Sequence, residues 1–437
     1  MIMMITGCDT IKETISGTYL GSINKKKPLP GKRISILAQQ RSIEPDITIT
    51  GHKIILPAPT ANKEWPQTGG YAHHAMHHLR LSRALDEDWD ISIGNGSSGS
   101  ERLMAQPIVA SGRIFTMDSE STINAYSLNN GKEFWSTEIT PSGEEDDHLN
   151  GGLAFESGKV IASTGFGQII ALAANTGKIL WRRDVGAPFR TAPTAKGNRI
   201  FAITITNKLF ALNSQTGDVL WTYAGIEETT NLLGGGSPAV DQGVVVAPFS
   251  SGELVALKVQ NGKELWSDSL AGGRRTLGTT TLSSIRGRPI IDRNIVFAVS
   301  NSGQLTAINL RTGRRIWERN IGGSESPWIA GNYLFLISSN ADLIALGRDD
   351  GHIYWVTALP EWKNLERRKG KITWTGPVLG SDRLIVAGSN GEAISISPYS
   401  GEMLGKEKMP DGVTISPIIA LNKLIFLSDD AKLVSYR

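Results

Sequence analysis

Four of the seven histidines stand close together in the chain, at His73, His74, His77 and His78. On a helix, positions 73 and 77, or 74 and 78, would share one face, and imidazoles spaced in this way can bind zinc. No glutamate follows in an HExxH arrangement, and no third ligand stands nearby in the sequence. We therefore predict no metal site, and we interpret the segment as a surface loop or a short surface helix. Adventitious metal binding is the alternative.

Two other kinds of segment could carry chemistry. The run GEEDDHLNGG, residues 143–152, holds four consecutive acidic residues, but it lacks the alternate spacing of calcium-binding loops. The segments GNGSSGS (residues 94–100) and LLGGGSP are rich in glycine, but they lie between predicted strands rather than before a helix, as a phosphate-binding loop would. The chain also lacks a GxSxG motif. These patterns predict solvated loops and no catalytic constellation.

The single cysteine, Cys8, cannot form a disulfide within the chain. The preceding residues Ile5-Thr6-Gly7 resemble a bacterial lipobox, in which small residues before the cysteine fit the lipoprotein signal peptidase. Only seven residues precede Cys8, fewer than a signal peptide needs, so either the start is trimmed or the match arises by chance. We predict lipidation at Cys8. The neighbouring Asp9 resembles a signal that retains lipoproteins in the inner membrane.

A repeat organises most of the chain. Six times, an alanine is followed by a glycine six residues later and by a tryptophan ten residues later, and successive tryptophans lie 38 to 51 residues apart. This period is typical of propellers and solenoids. A seventh set, Ser395/Gly401/Gly405, keeps the spacing but has lost the alanine and the tryptophan. The six complete sets are Ala125/Gly131/Trp135, Ala171/Gly177/Trp181, Ala211/Gly217/Trp221, Ala256/Gly262/Trp266, Ala307/Gly313/Trp317 and Ala345/Gly351/Trp355.

The repeating unit is predicted to consist of β-strands. In residues 198–221, a first run over 199–205 alternates like a half-buried strand, and a second strand covers 209–212. Thr216-Gly217 closes a hairpin, because glycine adopts the positive φ of such turns at little cost. Trp221 then ends an outer strand, where its ring could wedge between neighbouring sheets. With a short strand near a proline at the start of each unit, the pattern predicts four antiparallel strands per unit, as in a propeller blade.

The two ends of the chain complete one blade. The inner three strands occur eight times, and the last copy, residues 416–437, ends before its turn and tryptophan. The missing outer strand appears early, in RALDEDWDISIG around Trp89, one period before Trp135. We predict an all-β fold: an eight-bladed β-propeller with four-stranded antiparallel blades, closed by pairing of an N-terminal strand with the C-terminal blade. The predicted divisions are a remnant of a lipoprotein signal or anchor (1–8), an extension and linker (9–82) and the propeller (83–437).

The charges are unevenly placed. Residues 1–60 hold eight Lys and Arg against four Asp and Glu, whereas the rest of the chain is nearly neutral. This balance does not support nucleic-acid binding, which requires a basic face or stripe. The basic residues at positions 25–27 and 32–33 are interpreted as a solvated linker, with attraction to anionic lipid headgroups as the alternative.

The repeat unit ALNSQTGDVLW resembles the consensus of pyrroloquinoline-quinone-like propellers over residues 83–437. Two families share this repeat. Quinoprotein dehydrogenases use adjacent cysteines, a calcium site and a catalytic aspartate, and this chain has one cysteine and no room for their insertions. The family of outer-membrane protein assembly factor BamB has eight blades, a lipobox and a similar size. The segments LPGKRISIL and WPQTGG also resemble N-terminal extensions in that family.

The resemblance to BamB implies a noncatalytic periplasmic scaffold lipoprotein of the β-barrel assembly machinery, on the periplasmic face of the outer membrane. Asp9 leaves the inner membrane as the alternative. The implied partners are the central barrel subunit of that machinery and unfolded outer-membrane protein clients, with no cofactor, no nucleic acid and membrane attachment by the lipid alone. The alternative function is a quinone-binding quinoprotein-like dehydrogenase or a propeller sensor.

The resemblance also implies a partner surface on two neighbouring loops. By position, the first loop is TNLLGGGSP, with Leu232 and Leu233 as the matched residues, for which ordinary cap packing is the alternative. The second is TLSSIRGRP, in which Ser284 and Arg286 stand at positions that are acidic in the family. Arg286 cannot make the salt bridge of an acidic loop. Docking would then depend on apolar contact and basic residues, or on a partner with compensating acids.

Overall fold

The structure, a computed structural model, describes residues 43–49, 51–99, 101–144, 150–189, 191–228, 234–271 and 284–437. The chain divides into two units, Met1–Ser42 and Ile43–Arg437, and every described residue belongs to the second. Among the described residues there is no α-helix, and a 3-10 turn covers Ile47–Ile49. No helix in this part of the chain is long and apolar enough to cross a membrane. The prediction of an all-β chain is confirmed.

The first four blades follow one another along the chain, each a four-stranded antiparallel sheet. From the innermost to the outermost strand they are blade 1, β2 (Ile108–Ala110), β3 (Arg113–Met117), β4 (Thr122–Ser127) and β5 (Glu133–Glu138); blade 2, β6 (Gly152–Glu156), β7 (Lys159–Ser163), β8 (Gln168–Ala173) and β9 (Ile179–Asp184); blade 3, β10 (Thr194–Lys196), β11 (Arg199–Ile203), β12 (Lys208–Asn213) and β13 (Val219–Ala224); and blade 4, β14 (Ala239–Asp241), β15 (Val244–Pro248), β16 (Glu253–Lys258) and β17 (Glu264–Ser269).

The next three blades repeat the same order, and a small hairpin of β26 (Trp362–Asn364) and β27 (Lys369–Lys371) separates the last two. They are blade 5, β18 (Ile290–Asp292), β19 (Ile295–Val299), β20 (Leu305–Asn309) and β21 (Arg315–Arg319); blade 6, β22 (Trp328–Ala330), β23 (Tyr333–Ile337), β24 (Asp342–Gly347) and β25 (Ile353–Ala358); and blade 7, β28 (Trp374–Gly380), β29 (Arg383–Gly388), β30 (Glu392–Ile396) and β31 (Met403–Lys408).

Blade 8 joins the two ends of the chain. Its inner strands are β32 (Ile418–Ala420), β33 (Lys423–Leu427) and β34 (Lys432–Tyr436), and its outer strand is β1 (Glu87–Ser92). β1 runs antiparallel to β34, with Trp89 opposite Ser435. The predictions of eight blades and of closure by the Trp89 strand are confirmed.

The core lies between blades rather than on one side of each sheet. In β11, residues 200–203 are all buried, and the second and third strands of the other blades show the same continuous burial. The prediction that 199–205 is a half-buried, alternating strand was wrong, because each blade packs against a neighbour on both faces. Alternating burial occurs in outer strands such as β9 and β13.

The Ala/Gly/Trp repeat has one geometric cause. In each of blades 1 to 6 the alanine lies directly opposite the tryptophan, as in the pair Ala171 and Trp181, and a β-bulge follows the alanine. The tryptophan is the third residue of a six-residue outer strand such as β9, not its last residue as the sequence predicted. Its ring reaches the next blade, as predicted, and covers the glycine of that blade's turn.

The contact between the ring and the glycine is tight. Gly177 has a φ of 73°, and a Cβ atom placed there would lie 2.5 Å from Cε3 of Trp135 in the preceding blade. The indole Nε1–H of Trp135 donates to the carbonyl of Ala174 at 3.0 Å. The same bond, to the carbonyl three residues before the glycine, recurs in all the complete seams at 2.8–3.3 Å: Trp89 to Leu128, Trp135 to Ala174, Trp181 to Ser214, Trp221 to Val259, Trp266 to Leu310, Trp317 to Arg348 and Trp355 to Pro398.

A belt formed by residues 62–82 makes one circuit inside the ring. Its backbone or side chains bond in turn to the innermost strand of each blade or to the residue that follows that strand, which satisfies polar groups that would otherwise form a free sheet edge. The predicted extension and linker 9–82 is thus, over 62–82, part of the propeller interior, and the boundary at 82/83 stays a prediction. In blade order from 8 through 1 to 7, the bonds are Leu421 N to Asn62 O, Trp65 N to Val109 O, Phe155 N to Pro66 O, Ala195 N to Gln67 Oε1, Val240 N to Ala72 O, Ile291 N to His73 O, Trp328 Nε1 to His77 O and Ser381 N to Leu79 O.

The belt contains the four clustered histidines, and it is neither a helix nor at the surface. His74 and His78 are buried, and His74 and His77 have positive φ, so the prediction of a surface loop or short helix was wrong. His78 bonds through Nδ1 to the carbonyl of Pro57, and its Nε2 accepts from the Asp382 N–H. No group of three or more metal-ligating side chains occurs in the described ranges.

We expect Trp89→Ala to destabilise the whole propeller, because Trp89 is the ring that seals blade 8 against blade 1. The cost should be about 3 kcal/mol of unfolding free energy, at the lower end for loss of a tryptophan since the ring is only half-buried. Urea denaturation followed by far-UV circular dichroism measures it. Trp362→Ala is the matched control: Trp362 lies on the β26–β27 hairpin, and its indole N–H bonds only to the adjacent Glu361.

Equal unfolding free energies for these two variants would contradict the role of Trp89 in closure.

Removal of residues 1–95 should destabilise the propeller more than Trp89→Ala does, since it deletes both β1 and the belt. That truncation should lower the Tm of the entire domain, and a truncated chain that melts like the full chain would contradict closure by the N-terminal strand.

We also expect stability to fall below pH 6.5 because of His74. Burial, assisted by the charge of Arg288, lowers the pKa of His74 to about 3, so the folded protein keeps this ring neutral while the unfolded chain protonates it near pH 6.5. The unfolded state then binds more protons between these values, and stability declines as the pH falls. By pH 5 the wild type should lose about 2 kcal/mol more than His74→Gln. Parallel pH slopes for the two proteins, measured by urea denaturation, would contradict this account.

Candidate functional site

The belt divides the central channel into two cavities. We call the face at which the innermost strands begin the upper face, and the opposite face the lower face. The lower cavity, of about 400 Å³, is lined by belt residues that include His73 and His77, and by Asp241, Asp292 and Arg293 at the ends of their strands. The upper cavity, of about 360 Å³, has Thr68 of the belt at its base and the loops that precede the innermost strands around its wall.

The lower cavity is organised by ion pairs. Asp292 lies 3.4 Å from His77 Nε2 and 3.0 Å from Arg348 Nε. Burial alone would raise the pKa of Asp292, but the bonds from His77 and Arg348 outweigh burial and hold that pKa below its ordinary value. Asp292 therefore stays ionised, and Arg348 carries the matching positive charge. This arrangement ties the belt to blades 5 and 6 and leaves no evident reactive group.

The upper cavity is lined mainly by polar side chains. Its charged lining consists of Arg102, Arg286, Arg288 and Glu325, and most other lining residues are threonine, serine or glycine. Arg288 is the deepest of the guanidinium groups, since a Cβ atom on Gly69 of the belt would lie 2.7 Å from its Nε. Burial lowers the pKa of Arg288, and the nearby charge of Glu325 opposes that effect. Arg102, by contrast, is exposed at the mouth.

The described parts of the two loops predicted as a partner surface, residues 234–238 and 284–289, lie side by side on the upper face. A Cβ atom placed on Gly234, in the first loop, would lie 3.6 Å from Nε of Arg286 in the second. Arg286 is half-buried and lines the upper cavity. Ser284 is buried, with only 4 % of its surface exposed, so its side chain is not available to a partner in this structure. Leu232 and Leu233 lie outside the described residues.

Other predicted sites fall partly or wholly outside the described ranges. Cys8 and Asp9 belong to the unit Met1–Ser42, of which no residue is described. Of the acidic run 143–152, residues 145–149 are outside as well. The described part of that run includes Asn150, which is buried and donates to the hydroxyl of Ser121. Sequence reasoning missed the upper cavity, because Arg102, Arg288 and Glu325 come from three blades and form no local motif.

Comparison with known proteins finds both similar sequences and similar folds. The outer membrane protein assembly factor BamB of Escherichia coli (strain K12) is 26% identical over 352 residues, which cover 79% of this chain and 87% of that protein. The crystal structure of BamB from Moraxella catarrhalis superposes with a TM-score of 0.69 at 18% identity, covering 81% of this chain and 100% of that one. A quinohemoprotein alcohol dehydrogenase from Pseudomonas putida HK5 shares the fold, with a TM-score of 0.66 at 12% identity over 88% of this chain and 83% of that one.

The family model described as outer membrane protein assembly factor BamB matches residues 119–357. That stretch includes the two outer strands of blade 1, the whole of blades 2 to 5 and nearly all of blade 6. Because this match covers more than half of the 437 residues, this chain belongs to the family of outer membrane protein assembly factor BamB.

Proposed function

We propose that this chain is a noncatalytic, lipid-anchored periplasmic scaffold of the β-barrel assembly machinery. The observation that carries the proposal is the family match over residues 119–357, set within a complete ring of eight blades. A closed ring of buried strands is rigid, and binding then depends on loops that the ring holds at its faces. The described surface loops of this chain are better suited to binding a partner than to catalysing a reaction.

A scaffold also fits the chemistry of the channel. Within the described residues of the upper cavity, the charged side chains are three arginines and one glutamate, and no serine, threonine or cysteine there is hydrogen-bonded to a histidine base. The channel histidine His74 is bonded to the carbonyl of Pro289 and lies buried in the belt. The quinoprotein alternative also requires two adjacent cysteines, whereas this chain has one. These observations favour binding over catalysis.

The partner surface in this proposal is formed by the adjacent upper loops of blades 3 to 5. Leu232 and Leu233 supply the apolar contact, and Arg286, which adjoins Gly234 of the first loop, supplies positive charge. Buried apolar anchors dominate most interface energies, while charges at the rim mainly affect association rate and specificity. Arg286 stands where the family has an acidic residue, so the partner of this chain is expected to offer acidic or neutral groups at that point.

We expect the double variant Leu232→Ala/Leu233→Ala to reduce capture of the central barrel subunit more strongly than Arg286→Ala does. The reason is that the leucines would lose buried apolar area, whereas the arginine would lose a partly solvated charge. Affinity purification of tagged chain from its native host, followed by quantification of the central barrel subunit, measures the effect. Circular dichroism and Tm identify variants that still fold.

A folded double-leucine variant that captures the subunit as the wild type does would place the interface elsewhere. Wild-type chain that recovers none of the subunit would contradict the scaffold function itself. The alternative function has a separate test. Tight binding of pyrroloquinoline quinone with calcium, together with dye-linked alcohol oxidation, would favour a quinoprotein and overturn the noncatalytic proposal.

The membrane anchor gives another prediction. When the chain is expressed behind a full-length lipoprotein signal, Cys8 should become the lipidated N-terminus, and Cys8→Ser should release the chain into the soluble periplasmic fraction. Several acyl chains hold a protein firmly on a bilayer, whereas a chain without them has no comparable anchor. Membrane flotation of the two proteins measures this. A serine variant that floats with membranes like the wild type would show that attachment does not depend on Cys8.

A further inference from the structure

The upper cavity carries an excess of positive charge. Arg102, Arg286 and Arg288 face it, against a single lining carboxylate, Glu325. Within the described part of the chain, none of the three guanidinium groups has a carboxylate within ion-pair distance. Asp429, near the mouth, is already hydrogen-bonded by Thr414 at 2.5 Å. Three positive charges and one negative charge therefore line one cavity, and an added anion would balance the excess positive charge.

Two buried polar atoms at the base of this cavity have no partner. They are Nε of Arg288 and the hydroxyl oxygen of Thr68, and both residues line the cavity. Buried polar groups in folded proteins nearly always have a hydrogen-bond partner, and an exception needs an explanation. Both residues line an open volume of about 360 Å³. Their side chains therefore border a space that a ligand could occupy.

The rest of the wall suits the same kind of ligand. Hydroxyl groups from five blades and from the belt can donate to oxygen atoms without adding charge, and the backbone of the glycines leaves room for close approach. Glu325 is restrained by a hydrogen bond of 2.9 Å from Thr375, and the backbone N–H of Arg288 bonds to Ser326. These bonds hold the wall in place without using any guanidinium group. The hydroxyl-bearing lining residues are Thr68, Thr191, Ser237, Ser324, Ser326, Thr373, Thr375, Thr414 and Ser416.

We propose that the upper cavity binds a small multivalent oxyanion, with Arg288 at its base, Arg286 on its wall and Arg102 at its mouth. Arginine is the side chain best suited to this, because its planar fork pairs with two oxygens of a carboxylate or phosphate group. The three arginines lie at different depths, so they favour a molecule with more than one anionic group over a single small anion. The cavity volume lies in the range of small-molecule sites.

The test uses isothermal titration calorimetry with the purified full chain at low ionic strength. Citrate serves as the carboxylate probe and pyrophosphate as the phosphate probe, with sodium chloride titrated at equal ionic strength as a baseline. We expect saturable one-to-one binding of at least one probe. The probe that binds more tightly identifies whether the site prefers carboxylate or phosphate groups. No saturable binding of either probe would overturn the proposal.

Variants distinguish binding in the cavity from nonspecific attraction of anions to the positive charges of the chain. Arg288→Gln should weaken binding tenfold or more, and Arg288→Lys should recover only part of the loss, since lysine keeps the charge without the fork. Arg311→Gln is the matched control, because Arg311 is exposed on a turn of blade 5 and its substitution changes the net charge by the same amount. Equal binding by Arg288→Gln and Arg311→Gln would overturn the proposal.

Arg288 is largely enclosed, so the Tm of its variants is measured first. Arg102→Gln provides the second route, because Arg102 is exposed at the mouth and its substitution should not affect folding. It should weaken binding severalfold while the Tm stays at the wild-type value, and unchanged binding would count against the site. The purified chain is tested without any assembly partner, so the result does not depend on the proposed scaffold function.

Discussion

The interaction on which the ring depends is the contact between a tryptophan of one blade and a glycine of the next. The indole ring covers the turn, and its N–H donates to a carbonyl three residues before the glycine. Only a residue without Cβ can lie under the ring, because a Cβ at Gly177 would overlap Trp135 at 2.5 Å. The alanine of the repeat lies directly opposite the tryptophan in its own sheet, as Ala171 does for Trp181. Three residue types at fixed spacing therefore describe one interface between neighbouring sheets.

The same constraint explains the imperfect seventh set. Gly405 occupies the tryptophan position of blade 7, opposite Ser395, and the next seam is the one between blades 7 and 8. In blade 8 the third and outer strands come from opposite ends of the chain, so no hairpin turn joins them. There is consequently neither a turn glycine to cover nor the carbonyl that precedes it. The loss of the tryptophan at residue 405 follows from the way the ring closes, and it marks the position of the closure in the sequence.

The features that recur in every blade could be predicted from the sequence, whereas structural features that occur only once could not. Blade number, strand order and the pairing of β1 with β34 follow from the spacing of Trp89 and its successors, because each period has the same physical cause. The belt has no periodicity, since each of its residues meets a different blade in an irregular conformation. His74 and His77 adopt positive φ, which no local pattern of non-glycine residues indicates. Their burial could have been found only from the ring into which they fit.

The candidate site shows the same limit. Arg288 and Glu325 belong to different blades, and each looks like an ordinary surface residue of its own loop. Only the circular arrangement brings them to one cavity, where Arg288 is left with an unbonded Nε. The pair Leu232 and Leu233, by contrast, was predicted from a local resemblance, and its place outside the described residues leaves it a proposal. The structure therefore adds most where residues that are distant in the sequence meet at one site, because the repeat alone does not indicate such contacts.

Arg286 connects the two proposals made for the upper face. It lines the cavity, and it also adjoins Gly234 of the loop assigned to partner docking. An oxyanion in the cavity would neutralise part of the positive charge that an acidic partner group would meet, while apolar contact by the leucines would be unaffected. Because thermodynamic coupling is reciprocal, a partner acid paired with Arg286 would weaken oxyanion binding by the same factor. The two ligands would thus compete through one side chain without sharing the rest of their sites.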